Sequence, residues 1–283
     1  MNIVSLLQFA YKQLTATSAS PRLDAELLLA HVLQVKRSYL YTWPEHTPET
    51  LLQEEYKKII KQRSREVPIA YLVGEKEFWS LLLKVNEHTL IPRPETELLV
   101  TLALEKLATE KKQAAQIADL GTGSGAIALA IAKELPTAVV YATEQNPETL
   151  EVAKFNQQHL NIPNIRFFLG NWCRPLPIKN LNLIVSNPPY IAAQDPHLQE
   201  GDLRYEPMSA LVSGLDGLAA IRIICKQAQD YLTPMGLLML EHGYNQGEQV
   251  RNLFSLEGYT EIQTYRDLNG RERVTIGRAI GII

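Results

Sequence analysis

From Ala115 onward the apolar pattern alternates between short continuous runs and longer segments of helical period, which restricts this part of the chain to a doubly wound α/β sheet. Runs at residues 117–120, 138–143, 166–169, 181–186 and 237–241 read as buried strands, with helices expected over 126–135, 147–159, 216–232 and 245–256. Residues 259–265 and 273–277 read as a closing antiparallel pair. Ligands of such sheets bind outside the C-terminal ends of the strands, near the point where strand order reverses. The residues that follow the first, second and fourth strands are therefore the candidates for chemistry.

After the first strand comes Gly121-Thr122-Gly123-Ser124-Gly125, whose glycines allow a sharp turn and close approach of backbone N–H groups to a ligand at the next helix. Glu144 ends the second strand, where a carboxylate can accept hydrogen bonds from both hydroxyls of a ribose. The absence of Gly-Lys-Ser/Thr excludes a P-loop, but with Ala126 the loop also fits Gly-x-Gly-x-x-Ala, so a nicotinamide dinucleotide and S-adenosylmethionine both remain open at this point.

The fourth strand stops at Asn187-Pro188-Pro189-Tyr190. The two prolines stiffen the backbone and hold Asn187 out of the helical region. The Asn187 side-chain oxygen and the Pro188 carbonyl form a rigid pair of acceptors that can hold a planar –NH2 by both hydrogens, with Tyr190 placed to cover its flat face. Hydride transfer has no use for such a grip, whereas methyl transfer to a weakly nucleophilic nitrogen does. The tetrad therefore favours S-adenosylmethionine.

Residues 1–75 read as a helical bundle. Ile3, Leu6, Leu7, Ala10 and Leu14 recur at helical spacing, Ser20-Pro21 opens a second run, and Thr47-Pro48-Glu49 opens a third. This bundle shows no obvious chemistry and is expected to serve packing or recognition. Residues 76–94 are expected to form a β-hairpin linker, with a strand over 77–85 turned by Asn86-Glu87 into a second over 88–91. Residues 95–283 are expected to form the α/β domain, entered through Ile91-Pro92-Arg93-Pro94-Glu95-Thr96-Glu97 and a helix over 98–108.

A net charge of −3, with no basic excess in either half, argues against a grip on nucleic-acid phosphates. The two cysteines, Cys173 and Cys225, and the six scattered histidines lack metal-ligand spacing, so no metal site is expected. The N-terminus has no signal-peptide pattern and no run reaches the length of a membrane span, which makes the cytoplasm the expected location.

With these residues in view the chain resembles the HemK/PrmC family of protein-(glutamine-N5) methyltransferases over essentially its whole length. The likeness lies in residues 68–79, in Arg93-Pro94-Glu95-Thr96-Glu97, in residues 119–129 and in Asn187-Pro188-Pro189-Tyr190. It extends to Glu206-Pro207, Ala210-Leu211, Glu241-His242-Gly243 and residues 271–274. The tetrad is shared with DNA adenine and RNA amino-methyltransferases; the Arg-Pro-Glu-Thr-Glu stretch and the helical N-terminal domain are the specific part. The resemblance implies a Rossmann-like class I S-adenosylmethionine-dependent domain behind an N-terminal helical bundle and a β-hairpin connector. It implies a monomeric enzyme acting on the glutamine of the Gly-Gly-Gln motif of peptide chain release factors 1 and 2, with no direct nucleic-acid partner. By position, Gly121, Thr122, Gly123, Ser124, Gly125, Glu144, Trp172 and Asn187 would line the cofactor site, with Trp172 beside the adenine. Asn187, Pro188, Pro189 and Tyr190 would bind the substrate, and Asn187, Pro188 and Tyr190 would serve catalysis. Family members often carry Asp where this chain has Glu144, whose longer side chain keeps the carboxylate. The competing readings are a nucleic-acid amino-methyltransferase, a nicotinamide-dependent dehydrogenase and a partner-binding protein without activity.

Overall fold

The computed structural model describes residues 1–110 and 114–280. They divide into two compact units, one made of residues 1–75 with 197–205, the other of residues 76–196 with 206–280.

The first unit holds five α-helices: α1 (Ile3–Leu14), α2 (Pro21–Val32), α3 (Arg37–Thr42), α4 (Thr50–Arg63) and α5 (Ile69–Val73). Asn2 caps α1 by accepting from the Ser5 N–H at 3.0 Å, and the helix buries Ile3, Leu6, Ala10 and Leu14, one face at helical spacing. The Tyr56 hydroxyl, fully buried on α4, donates to the Ala25 carbonyl of α2 at 2.9 Å. Asp24, also buried, accepts from Arg63 Nε at 2.8 Å and from Ser18, so the charge inside this small core is paired. The expected start at Thr47 is displaced: α4 begins at Thr50, because the Gln53 amide donates to the Pro48 carbonyl at 2.8 Å and Glu49 is extended. Residues 197–205, far along the chain, complete this unit, with Arg204 paired to Glu66, the Tyr205 hydroxyl donating to the Arg65 carbonyl and Arg63 lying 3.5 Å from Asp202.

The connector is a hairpin, β1 (Glu75–Phe78) and β2 (Leu81–Lys84), but its turn is not at Asn86-Glu87. The chain reverses at Trp79-Ser80, both at positive φ (52° and 54°). Neither residue favours that conformation; tertiary bonds hold it. The Trp79 N–H donates to Glu97 at 2.9 Å and its indole N–H to Glu134 at 2.9 Å. Residues 88–91, expected as a strand, belong to none among the described residues; the first two lie in a turn over 86–89 closed by the Thr89 N–H on the Asn86 carbonyl.

A single 3-10 turn (Pro94–Thr96) leads into α6 (Glu97–Thr109). Then follow β3 (Gln116–Leu120), α7 (Ala126–Glu134), β4 (Val139–Glu144), α8 (Pro147–His159), β5 (Ile165–Leu169), β6 (Leu181–Ser186), α9 (Met208–Leu211), α10 (Ala219–Ala228), β7 (Leu232–Glu241), α11 (Gly247–Leu256), β8 (Thr260–Arg266) and β9 (Glu272–Arg278). The seven strands order as β5-β4-β3-β6-β7-β9-β8, parallel except for β9, which runs antiparallel between β7 and β8. The helix expected over 216–232 is shorter, because Leu232 already pairs with Leu181 as the first residue of β7.

Central strands bury both faces, and period-two alternation sorts their side chains between two cores. Ile117, Leu183 and Leu237 pack with α6 and α7; Ala118, Ile184 and Leu238 pack with α10 and α11. Strand order reverses between β3 and β6, joined in register through Asp119 and Val185. Their C-terminal ends are tied by the Ser186 hydroxyl, which donates to the Leu120 carbonyl at 2.6 Å. Gly121 and Asn187 are the next residues on each strand.

Candidate active site

At the end of β3 the chain turns at Gly121, whose N–H donates to the Thr143 carbonyl of β4 at 2.9 Å, as does that of Thr122. A Cβ added at Gly121 would come within 3.2 Å of the Trp172 ring, so the absence of a side chain is what lets the indole close over the loop. The Gly123 N–H donates to Glu144 Oε2 at 3.1 Å and the Asn146 N–H to Oε1 at 3.0 Å. These two bonds aim the carboxylate and leave lone pairs for a ligand. Burial raises the Glu144 pKa and the backbone donors oppose that shift.

A cleft of about 860 Å³, open mouth included, lies over these strand ends. Gly121, Thr122, Gly123, Ser124, Glu144 and Trp172 line one part of it, and Asn187, Pro188 and Pro189 another. The loop, the carboxylate and Asn187-Pro188-Pro189, separate in sequence, thus line one cleft. Gly125 and Tyr190 are not in that lining. Gly125 caps α7 beneath the loop, and the Tyr190 hydroxyl donates to buried Glu241 Oε1 at 3.5 Å. The Asn187 amide nitrogen donates to Thr96 Oγ1 at 3.1 Å. Among the described residues no protein donor reaches the Asn187 side-chain oxygen or the Pro188 carbonyl.

Sequence reasoning missed several walls of the cleft. His88, Leu90, Pro92 and Thr96 come from the connector and the turn before α6, and Pro207, Ser209 and Ala210 from the segment around α9. The signal was present: Pro92 and Thr96 belong to the proline-rich entry stretch, and Pro207 and Ala210 to matched stretches that carried no role. The two segments are clamped by Glu206, buried, which pairs with Arg93 and accepts from the Ile91 N–H at 3.0 Å.

Asp119 was also passed over. Fully buried at the end of β3, its Oδ2 accepts from the Thr122 hydroxyl at 2.6 Å and from the Ala128 N–H at 3.2 Å, tying the loop to α7. Burial pushes its carboxyl up to about 7, against those two bonds, with Glu144 adding a further upward push. Its unfolded value is near 3.9, so between these limits the native state binds more protons than the unfolded chain and stability falls as pH rises through 7. The stabilisation is complete below about pH 4. We expect Asp119→Asn to remove a large part of the loss in melting temperature between pH 5.5 and 8.5 measured for the unliganded protein; an unchanged difference would show that Asp119 does not titrate this way.

The cleft fits S-adenosylmethionine. Its volume suits a cofactor of that size, the loop backbone approaches without a side chain in the way, the Glu144 carboxylate can take ribose hydroxyls, and Trp172 offers a flat apolar face.

Two family models match the chain, the PrmC N-terminal domain over residues 5–74 and the methyltransferase small domain over residues 96–201. The release factor glutamine methyltransferase of Coxiella burnetii is 47% identical over 94% of this chain and 95% of its own length. That of Escherichia coli K12 is 46% identical over 96% of this chain and 97% of its own. Among solved structures, a methyltransferase from Pyrococcus furiosus superposes with a TM-score of 0.54 at 19% identity, covering 80% of this chain and 98% of that one. A Thermus thermophilus 16S rRNA guanine-N2 methyltransferase, solved with S-adenosylmethionine and guanosine, gives 0.52 at 17% identity, covering 72% and 49%. These structures share the fold of the sheet. Identity of this extent over nearly the full length of both chains, joined to a cleft built for S-adenosylmethionine, establishes that the chain is an S-adenosylmethionine-dependent enzyme belonging to the release factor glutamine methyltransferase family.

Proposed function

We propose that the chain methylates the side-chain amide nitrogen of the glutamine in the Gly-Gly-Gln motif of class 1 peptide chain release factors, release factors 1 and 2. The observation that carries this reading is the pair of open acceptors, the Asn187 side-chain oxygen and the Pro188 carbonyl, at residues that line the same cleft as the glycine loop. The names of the curated relatives support the substrate class. The enzyme acts as a monomer in the cytoplasm, where its substrate works; no helix among the described residues is long and apolar enough to cross a membrane.

When bound, S-adenosylmethionine supplies an electrophilic methyl group on a sulfonium. Glu144 and the loop backbone would hold the cofactor's ribose, and the Trp172 ring would offer its adenine a flat apolar face. The amide nitrogen of glutamine is a poor nucleophile, since its lone pair is delocalised into the carbonyl. Asn187 and Pro188 would each accept one of its N–H bonds, which would orient the nitrogen for attack and favour the positive charge that grows on it. Pro189 keeps the Pro188 carbonyl fixed. An N-protonated amide is a strong acid, so its proton leaves to water without a tuned base.

Incubation with methyl-labelled S-adenosylmethionine and either release factor or nucleic acid tests the reading. Label is expected in the release factor, and none after the motif glutamine is replaced; label in nucleic acid alone would overturn it. The first unit is assigned to recognition of the protein substrate. Deleting residues 1–75 together with 197–205, which belong to the same unit, should raise KM for the release factor by about tenfold or more, the scale of lost contacts worth ~1.4 kcal/mol, and change the Kd for S-adenosylmethionine far less. Unchanged kinetics would remove the recognition role.

A further inference from the structure

The connector supplies part of the cofactor cleft, since His88, Leu90 and Pro92 line it together with the glycine loop. Two polar side chains of α8, Thr149 and Asn156, hold the connector there. They stand seven residues apart, two helical turns, and so share one face of the helix with Ala153 between them. That face lies against the glycine loop: a Cβ added at Gly125 would come 3.4 Å from the Ala153 Cβ.

Asn156 is fully buried. Its side-chain oxygen accepts from the Lys84 N–H at 2.8 Å and its nitrogen donates to the Lys84 carbonyl at 3.0 Å. The amide thus pairs with both backbone groups of the last residue of β2, as a neighbouring strand would. Its other hydrogen goes to the Ser124 carbonyl of the glycine loop, at 2.9 Å. One side chain therefore bonds the connector and the cofactor loop at once. Three successive loop residues are each held by a different side chain, Thr122 by Asp119, Gly123 by Glu144 and Ser124 by Asn156. Nearer the start of α8 the Thr149 hydroxyl, on a residue 4% exposed, donates to the His88 carbonyl at 2.5 Å. That bond fixes the connector where it joins the cleft wall.

A wall that is in place before the ligand arrives needs no ordering on binding. One that is in place for only about a tenth of the time weakens apparent affinity about tenfold. We propose that Asn156 and Thr149 are positioning residues for the binding of S-adenosylmethionine, Asn156 by locking the connector to the glycine loop and Thr149 by holding the His88 carbonyl at the cleft wall. Neither needs to touch the cofactor for this; each acts through backbone that lines the cleft.

The inference rests on the placement of S-adenosylmethionine over the glycine loop, so Glu144→Ala is measured alongside. Thr149→Val keeps the shape of the side chain and removes its donor, whereas Thr149→Ser keeps the donor. Asn156→Asp keeps the acceptor for the Lys84 N–H and removes both donors. These variants are compared for Kd of S-adenosylmethionine, KM for release factor at saturating cofactor, melting temperature and amide hydrogen exchange over residues 84–90. Thr149→Val is expected to raise Kd about tenfold, the upper end of what one hydrogen bond is worth, with KM and melting temperature nearly unchanged. Exchange over residues 84–90 should quicken in its unliganded form and return to the wild-type rate with S-adenosylmethionine bound. Thr149→Ser should recover both. Asn156→Asp should raise Kd further and quicken the same exchange. Wild-type Kd in Thr149→Val or in a folded Asn156→Asp, a weakened Kd with unchanged exchange, or a loss that Thr149→Ser does not recover would overturn the proposal. If Asn156→Asp does not fold, the Thr149 pair decides alone. Unaltered cofactor binding in Glu144→Ala would sink the placement of the cofactor and this proposal together; weakened binding in Glu144→Ala beside a wild-type Kd in Thr149→Val would sink this proposal alone.

Discussion

Asn187→Ala is expected to reduce kcat for release factor by about a thousandfold, the upper end of what removal of one preorganised transition-state group costs, while S-adenosylmethionine still binds. On the proposed reading the side-chain oxygen is one of the two acceptors that fix the substrate amide, and the substitution removes it while leaving the Pro188 carbonyl in place. The backbone bonds of Gly123 and Asn146 to Glu144, in the part of the cleft assigned to the cofactor by the proposal, are untouched. Single-turnover rates with equilibrium cofactor binding check this directly: wild-type turnover, or complete loss of cofactor binding with residual chemistry, would each contradict the role.

The second large effect comes from a residue that touches neither ligand. Gly217 has φ +77°, and a Cβ there would fall inside the envelope of the Tyr190 carbonyl oxygen and 2.8 Å from the Gln246 amide nitrogen. That amide donates to the same carbonyl at 3.0 Å, and its own oxygen accepts from the Gly243 N–H at 2.8 Å. Gly217→Ala therefore adds a left-handed backbone penalty of about 1–2 kcal/mol to an overpacking cost of about 1–3 kcal/mol, and the strain is relieved by moving the tetrad. A drop in melting temperature of roughly 5–15 °C follows from that range, with kcat falling in the fraction that remains folded. Gly270→Ala is the control: its φ is +74° with nothing within 4 Å of the added carbon, so it reports the backbone penalty alone. Equal effects of the two substitutions would show that the Tyr190 contact does not matter.

Much of this site was legible in the sequence because its parts are local. Strand ends are marked by buried runs that stop, and the glycines and double proline act on their own backbone, so Gly121, Glu144 and Asn187 could be placed at adjacent strand ends before any coordinates. What escaped was held by distant partners. The reversal at Trp79-Ser80 has no turn residues because Glu97 and Glu134 fix it. Thr96 and Asn187 are joined by a side-chain hydrogen bond between residues 91 apart in the chain, so no spacing rule links them. Asp119 reads as one more polar residue in a buried strand until the Thr122 hydroxyl and the Ala128 N–H are seen to converge on it.

The return of residues 197–205 to the first unit changes what it means to cut this protein in two. A chain that leaves one unit for good at residue 75 could be halved there; this one goes back, so its two units are laced by three covalent strands of chain. Proteolysis at a single point in the 75–76 junction would leave a nicked molecule whose pieces stay threaded together through the later segment. Outright deletion of residues 1–75 would strip Asp202, Arg204 and Tyr205 of Arg63, Glu66 and Arg65. The informative truncation therefore removes both stretches at once, bridging residues 196 and 206 with a short flexible link, so that the isolated catalytic unit is measured without a stranded loop just past its own tetrad.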